Sequence, residues 1–189
     1  MRPFRLQHLL ALLCATALPL APAAAHENPK VETSAFSAPN PVRITPLLLT
    51  AGQPDAAQLG KLKELGVDAV IYLAPPTVGD AVRDEQLIVT KQGALFINLP
   101  VDFNQPRDAD FDAFAALLQG LQKNRRNVLV HCQVNFRASS FTFLYRSIVL
   151  KEDPQQAQEA INQVWKPNAV WRKFIEAQLQ RHGLAYQLM

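Results

Sequence analysis

From Val42 onward, short apolar runs alternate with longer segments whose apolar residues recur at helical spacing. That alternation leaves few folds open. Val67 to Leu73, Ala94 to Leu99 and Asn127 to His131 read as strands, the first of the kind buried on both faces. Arg43 to Leu49 is a further extended segment, placed at an edge where it can pair antiparallel. Ala56, Leu59, Leu62 and Leu65 share a helical face behind Pro54-Asp55, and Gly66 supplies the stop. Asp80 to Gln92 reads as a second helix, ended by Gly93. A third is capped by Asp108 and aligns Phe111, Phe114, Leu118 and Leu121, with Asp110 and Asp112 at its positive dipole end. Ser139 to Leu150, Pro154 to Trp165 and Asn168 to His182 close the chain as helices. Strands alternating with helices predict an α/β fold with a mostly parallel central sheet flanked by helices. Sites in such sheets open beyond the carboxyl ends of the strands.

One of those ends carries chemistry. The strand Asn127 to His131 delivers Cys132, and Arg137 follows after Gln133, Val134, Asn135 and Phe136. A helix expected to begin near Ala138 comes next. Amides of such a loop and of the first helical turn converge on an anion, helped by the helix dipole. The same field favours a thiolate at Cys132. Arg137 offers a planar fork to two oxygens of a tetrahedral anion. His131 should point away from Cys132 on the strand and orient the loop. Ser139 or Ser140 is placed to hydrogen-bond the sulfur, and His131, Gln133 to Phe136, Ala138 and Ser139 are the expected binding set.

The N-terminus makes that thiol solitary. Arg2 and Arg5 precede an apolar run from Leu9 to Leu20, and Ala23-Ala24-Ala25 supplies small residues. Residues 1–25 read as a cleaved signal peptide, which places the mature protein in the periplasm or outside the cell. Cys14 leaves with it, and Cys132 remains as the one cysteine. Residues 26–41 read as a flexible arm and 42–189 as a single domain. Losing the leader removes two arginines and leaves 17 basic residues against 16 acidic ones. No basic run speaks for nucleic acid, and nothing beyond the leader speaks for a membrane. The few His and Cys residues form no metal-ligand spacing, and no cofactor is implied.

A thiolate that attacks a phosphate ester needs an acid for the leaving oxygen, worth roughly 10²–10⁴-fold. Asp102, in Leu99-Pro100-Val101-Asp102-Phe103-Asn104, follows the strand before the Cys132 strand, so both ends can share one crevice. Asn104 and Gln105 stand near enough in sequence to position water. Phe141, Leu144, Tyr145 and Ile148, with Trp165 and Trp171, read as core.

On these residues the chain resembles the cysteine-dependent protein tyrosine and dual-specificity phosphatases. Val130-His131-Cys132 through Arg137 stands where their phosphate-binding loop stands. Ile44-Thr45-Pro46 and Leu62 through Leu73 look like their opening βαβ segment, and Leu99-Pro100-Val101-Asp102 like their general-acid loop. The likeness is greatest to a bacterial subgroup allied to the beta-lactamase-hydrolase-like phosphatases, which share a Cys-x4-Arg loop. The usual family loop holds five residues with a central glycine, where this chain holds four, and Asn135 is the residue able to take the left-handed conformation there.

The resemblance implies an exported phosphatase acting on a phosphorylated small molecule or phosphoprotein, with Cys132 as nucleophile, Arg137 as anion clamp and Asp102 as acid. Two other readings stay open. A rhodanese-type sulfurtransferase also has four residues in its loop and would carry a persulfide on Cys132. A non-catalytic module would capture an anion or a phosphopeptide.

Overall fold

The computed structural model describes residues 36–189. The expected leader and residues 26–35 of the expected arm lie outside the described residues. The remainder of that arm is tied to the domain at two points: Phe36 is buried, and the Pro39 carbonyl accepts a hydrogen bond from the Gly52 N–H at 2.6 Å.

Five strands form one sheet in the order β1-β2-β5-β3-β4. They are β1 (Val42–Thr45), β2 (Leu48–Ala51), β3 (Ala69–Tyr72), β4 (Leu95–Asn98) and β5 (Val128–His131). The inner pairings β2–β5, β5–β3 and β3–β4 are parallel, and β1 closes one edge antiparallel to β2. The single extended segment expected over Arg43 to Leu49 is therefore a hairpin. Pro46, which cannot donate to a ladder, breaks it, and Thr45 Oγ1 accepts from the Leu47 N–H at the bend.

Alternation along β5 sorts the two faces. Val128, Val130 and Cys132 join the core under the helices α3 (Asp108–Lys123), α4 (Phe136–Ile148), α5 (Pro154–Asn162) and α6 (Ala169–Arg181), while Leu129 joins the smaller core on the other face. That second face is covered by α1 (Ala56–Leu59), the turns that follow it, and α2 (Glu85–Lys91). No helix among the described residues is long and apolar enough to cross a membrane.

α4 is the central helix. Phe141 packs among Phe111, Phe114, Trp171 and Phe174, with ring centroids 5.5–5.9 Å apart. Eleven of its residues are buried, Arg137 included. Burying a side chain such as Phe or Leu is worth about 1.5–3 kcal/mol, so α4 is anchored along its whole length.

Several helix boundaries differ from expectation, each for a local reason. α1 is a single turn because Gly60 interrupts it; hydrogen-bonded turns then run to Gly66, whose φ of 69° turns the chain into β3. α2 begins at Glu85 and not Asp80, since the residues before it form turns. Asp108 is the first helical residue of α3 and not its cap: the cap is Arg107, whose N–H donates to the Asp110 carboxylate at 3.1 Å. α4 begins at Phe136, ahead of the expected start, because Asn135 turns the chain directly into the helix.

Candidate active site

Cys132 follows the last residue of β5, fully buried, with its N–H donating to the Ala51 carbonyl at 3.3 Å. The next four residues wrap back to α4. Asn135 sits at φ 70° and ψ 2°, the left-handed conformation expected of it. A non-glycine residue there costs roughly 1–2 kcal/mol, and Asn pays least because its amide can bond locally. Its Nδ2 donates to the Asn40 carbonyl at 2.6 Å and to Thr50 Oγ1 at 3.1 Å.

The outside of the loop is laced to the β2 end. The Gln53 N–H donates to the Gln133 carbonyl at 2.9 Å, and Asn40 Nδ2 donates to the Val134 carbonyl at 3.1 Å. Across a trans peptide the N–H points opposite to the C=O, so the Val134 amide faces away from Gln53, toward the loop interior. α4 adds the amides of Phe136, Arg137 and Ala138, which no side chain caps. These donors and the positive end of the helix dipole make a cradle for an anion. Four residues suffice because the left-handed Asn135 starts the helix early.

Arg137 is 5% exposed and braced on several sides. Its Nε donates to the Val101 carbonyl at 2.9 Å, and its guanidinium lies 5.1 Å above the Phe103 ring. Nη1 reaches Gln133 Oε1 at 3.4 Å, and Gln133 Nε2 donates to Asp80 Oδ1 at 2.8 Å. Asp102 lies between Val101 and Phe103, which both touch the guanidinium. Its carboxylate is exposed, and Oδ1 accepts from the Asn104 N–H at 2.8 Å. Trp171 fixes this segment from below by donating Nε1–H to the Phe103 carbonyl at 2.9 Å. The structure thus brings Cys132, the loop, Arg137 and the Asp102 segment to one end of the sheet.

Other expected site residues stand apart from the cradle. His131 points to the opposite face, fully buried, stacked on Tyr72 with centroids 4.7 Å apart and its Nε2 2.7 Å from Glu85 Oε1. Ser139 Oγ donates to the Phe136 carbonyl at 3.2 Å, while Ser140 Oγ is buried with no protein partner. The Tyr72 hydroxyl titrates well above the usual tyrosine range. Burial is the main cause, the anions Glu85, Asp80 and Cys132 add to it, and Arg137 opposes it.

Two features escaped the sequence. Glu85 had no signal beyond being a charge near a helix start. Phe136 stacks flat on Trp165, centroids 4.2 Å apart and 3° between planes, with Phe103 at 5.9 Å from Trp165. These rings form an aromatic wall beside Arg137. A separate groove between α6 and the C-terminal tail, lined by Arg172, Lys173, Glu176 and Tyr186, holds none of the residues above.

No family model matches the chain, and no curated protein matches it. Solved structures do. A candidate phosphatase (DUF442) from Shewanella putrefaciens CN-32 is 32% identical, with 77% of this chain and 92% of that chain covered at a TM-score of 0.68. This chain belongs to the DUF442 phosphatase family. The family's wider fold is recognisable in kinase associated phosphatase, 14% identical, with 74% of this chain and 88% of that chain covered and a TM-score of 0.64. TpbA of P. aeruginosa is 22% identical, with 75% and 84% covered and a TM-score of 0.58. PTPMT1, solved with PI(5)P, is 18% identical, with 76% and 96% covered and a TM-score of 0.63. These three establish the α/β phosphatase fold alone.

Proposed function

We propose that this protein is a phosphoric monoester hydrolase that works through a cysteinyl-phosphate intermediate. The thiolate of Cys132 attacks phosphorus as the P–O ester bond breaks, and the leaving oxygen takes a proton from Asp102. Water then attacks phosphorus, the S–P bond breaks, Asp102 recovers a proton and the thiolate is regenerated. Arg137 and the inward amides hold the equatorial oxygens, where charge sits in the transition state.

The observation that carries this reading is the bracing of Arg137. One residue of the Cys132 loop is moored to Val101, next to Asp102, so nucleophile, clamp and acid segment share one frame. Kinase associated phosphatase was solved with its catalytic-site cysteine changed to serine, which supports a catalytic role for the cysteine of this fold. TpbA was solved with pTyr and PTPMT1 with PI(5)P, so both a phosphoprotein and a phosphorylated small molecule remain in the proposed substrate class. Persulfide transfer and capture without turnover are not favoured, since the relatives are phosphatases.

The test is turnover of an aryl phosphate by the purified protein beside turnover of thiosulfate with cyanide. Phosphate release that disappears in Cys132→Ser supports the proposal; thiosulfate turnover with no phosphate release rejects it. The proposal includes export through removal of residues 1–25. N-terminal sequencing of the protein from a secreting host should begin near His26, and an intact leader would refute it.

A further inference from the structure

Glu85 is a buried ionisable group that the proposed chemistry leaves unused. It opens α2 and is 3% exposed. A buried carboxylate costs several kcal/mol unless partners compensate it. The partners here lead to both neighbours of the nucleophile. Oε1 lies 2.7 Å from Nε2 of His131, the residue before Cys132. Oε2 accepts from Gln53 Nε2 at 3.0 Å, and the Gln53 N–H donates at 2.9 Å to the carbonyl of Gln133, the residue after Cys132.

We propose that Glu85 is a positioning residue for Cys132, its one carboxylate anchoring the residues on either side of the nucleophile. The inference rests on the phosphatase reading and adds to it the part that aims the thiol. The strand ladder ends here: the Cys132 N–H to Ala51 bond, at 3.3 Å, is long for a backbone hydrogen bond. Backbone bonds hold the neighbours, Leu73 N–H to the His131 carbonyl at 2.8 Å and Gln53 N–H to the Gln133 carbonyl at 2.9 Å. The side-chain anchors add to them in setting the direction of Sγ. On one side the His131 ring is held between Tyr72 and Glu85. On the other side Gln53 carries the restraint to Gln133. Arg137 is moored separately, to Val101, so loss of Glu85 should misaim the sulfur while the anion cradle stays.

The test uses the full chain with Glu85→Ala, Glu85→Gln and Gln53→Ala, each shown to be folded by urea unfolding. Three quantities are read: the limiting rate of Cys132 alkylation by iodoacetate at high pH, kcat and KM for p-nitrophenyl phosphate, and inhibition by inorganic phosphate. Glu85→Ala should slow alkylation and kcat about tenfold or more, since misplacement by about 1 Å can cost 10²-fold. Phosphate inhibition should stay near wild type.

Glu85→Gln should recover most of the loss, because Gln keeps the polar contact with His131 Nε2 and can donate to Gln53 Oε1, which is buried without a hydrogen-bond partner. Gln53→Ala should fall between. Wild-type alkylation in Glu85→Ala overturns the proposal, as does a Gln variant no better than Ala or phosphate binding that falls in step with turnover. Should Glu85→Ala not fold, wild-type alkylation in Gln53→Ala overturns it equally. A wild-type protein that hydrolyses no phosphate ester would sink the phosphatase reading alone, because the alkylation series still decides the role of Glu85.

Discussion

Arg137 donates its Nε–H to the Val101 carbonyl at 2.9 Å, which ties the proposed anion clamp to the backbone that carries Asp102. The bond comes from a buried guanidinium whose Nη1 also reaches Gln133 Oε1 at 3.4 Å. A charge-assisted bond of this kind is stronger than a neutral one and holds its geometry. The clamp and the acid segment therefore move together.

Lysine cannot reproduce that arrangement. Arg137→Lys keeps the charge and loses both the Nε strut and the planar fork. Turnover of an aryl phosphate should fall on the order of 10²–10³-fold, the scale of losing a preorganised transition-state donor. Steady-state kinetics on the folded variant would check it, and a change under tenfold would remove Arg137 from the proposed role.

Asp102→Asn should show its effect through the leaving group. On an alkyl phosphate, whose oxygen must be protonated, kcat should drop roughly 10²–10⁴-fold. On p-nitrophenyl phosphate the loss should be much smaller. Equal losses on the two substrates would take the acid role from Asp102.

Asn135 separates backbone strain from side-chain bonding. Asn135→Gly keeps the left-handed turn and loses the bonds to Asn40 and Thr50, while Asn135→Ala loses both. Urea unfolding should find the Ala variant less stable than the Gly variant by about 1 kcal/mol. Equal stabilities would mean that the positive φ costs nothing here.

Gly52 is a test of the outer lacing. A Cβ there would stand 2.6 Å from Pro39 Cβ and 2.7 Å from the Gln133 carbonyl oxygen, so backbone on one side or the other must move. Gly52→Ala should cost about 1–3 kcal/mol, the usual scale of overpacking. It should also lower kcat through the displaced loop. A variant as stable and as active as wild type would show that the loop gives way freely.

The parts of this site that are local in sequence were legible in it. The β5 run, Cys132, Arg137 and the left-handed tolerance of Asn135 lie within the ten residues 128–137. What was not legible depends on distant chain segments. Glu85 and His131 stand 46 positions apart and meet because α2 covers the face of the sheet opposite α4. Phe136 reads as a binding-loop residue and Trp165 as core, and only the return of the chain after α5 stacks them. The early start of α4 followed from one backbone angle that residue types permit but do not dictate.

The most direct test of the central claim is to trap the intermediate. Asp102→Asn, mixed rapidly with p-nitrophenyl phosphate and quenched in acid, would be digested and its peptides weighed. The account predicts a phosphate adduct on the peptide containing Cys132, absent when Cys132→Ser is added. A burst of nitrophenol with no adduct on that peptide, or an adduct on another residue, would contradict it.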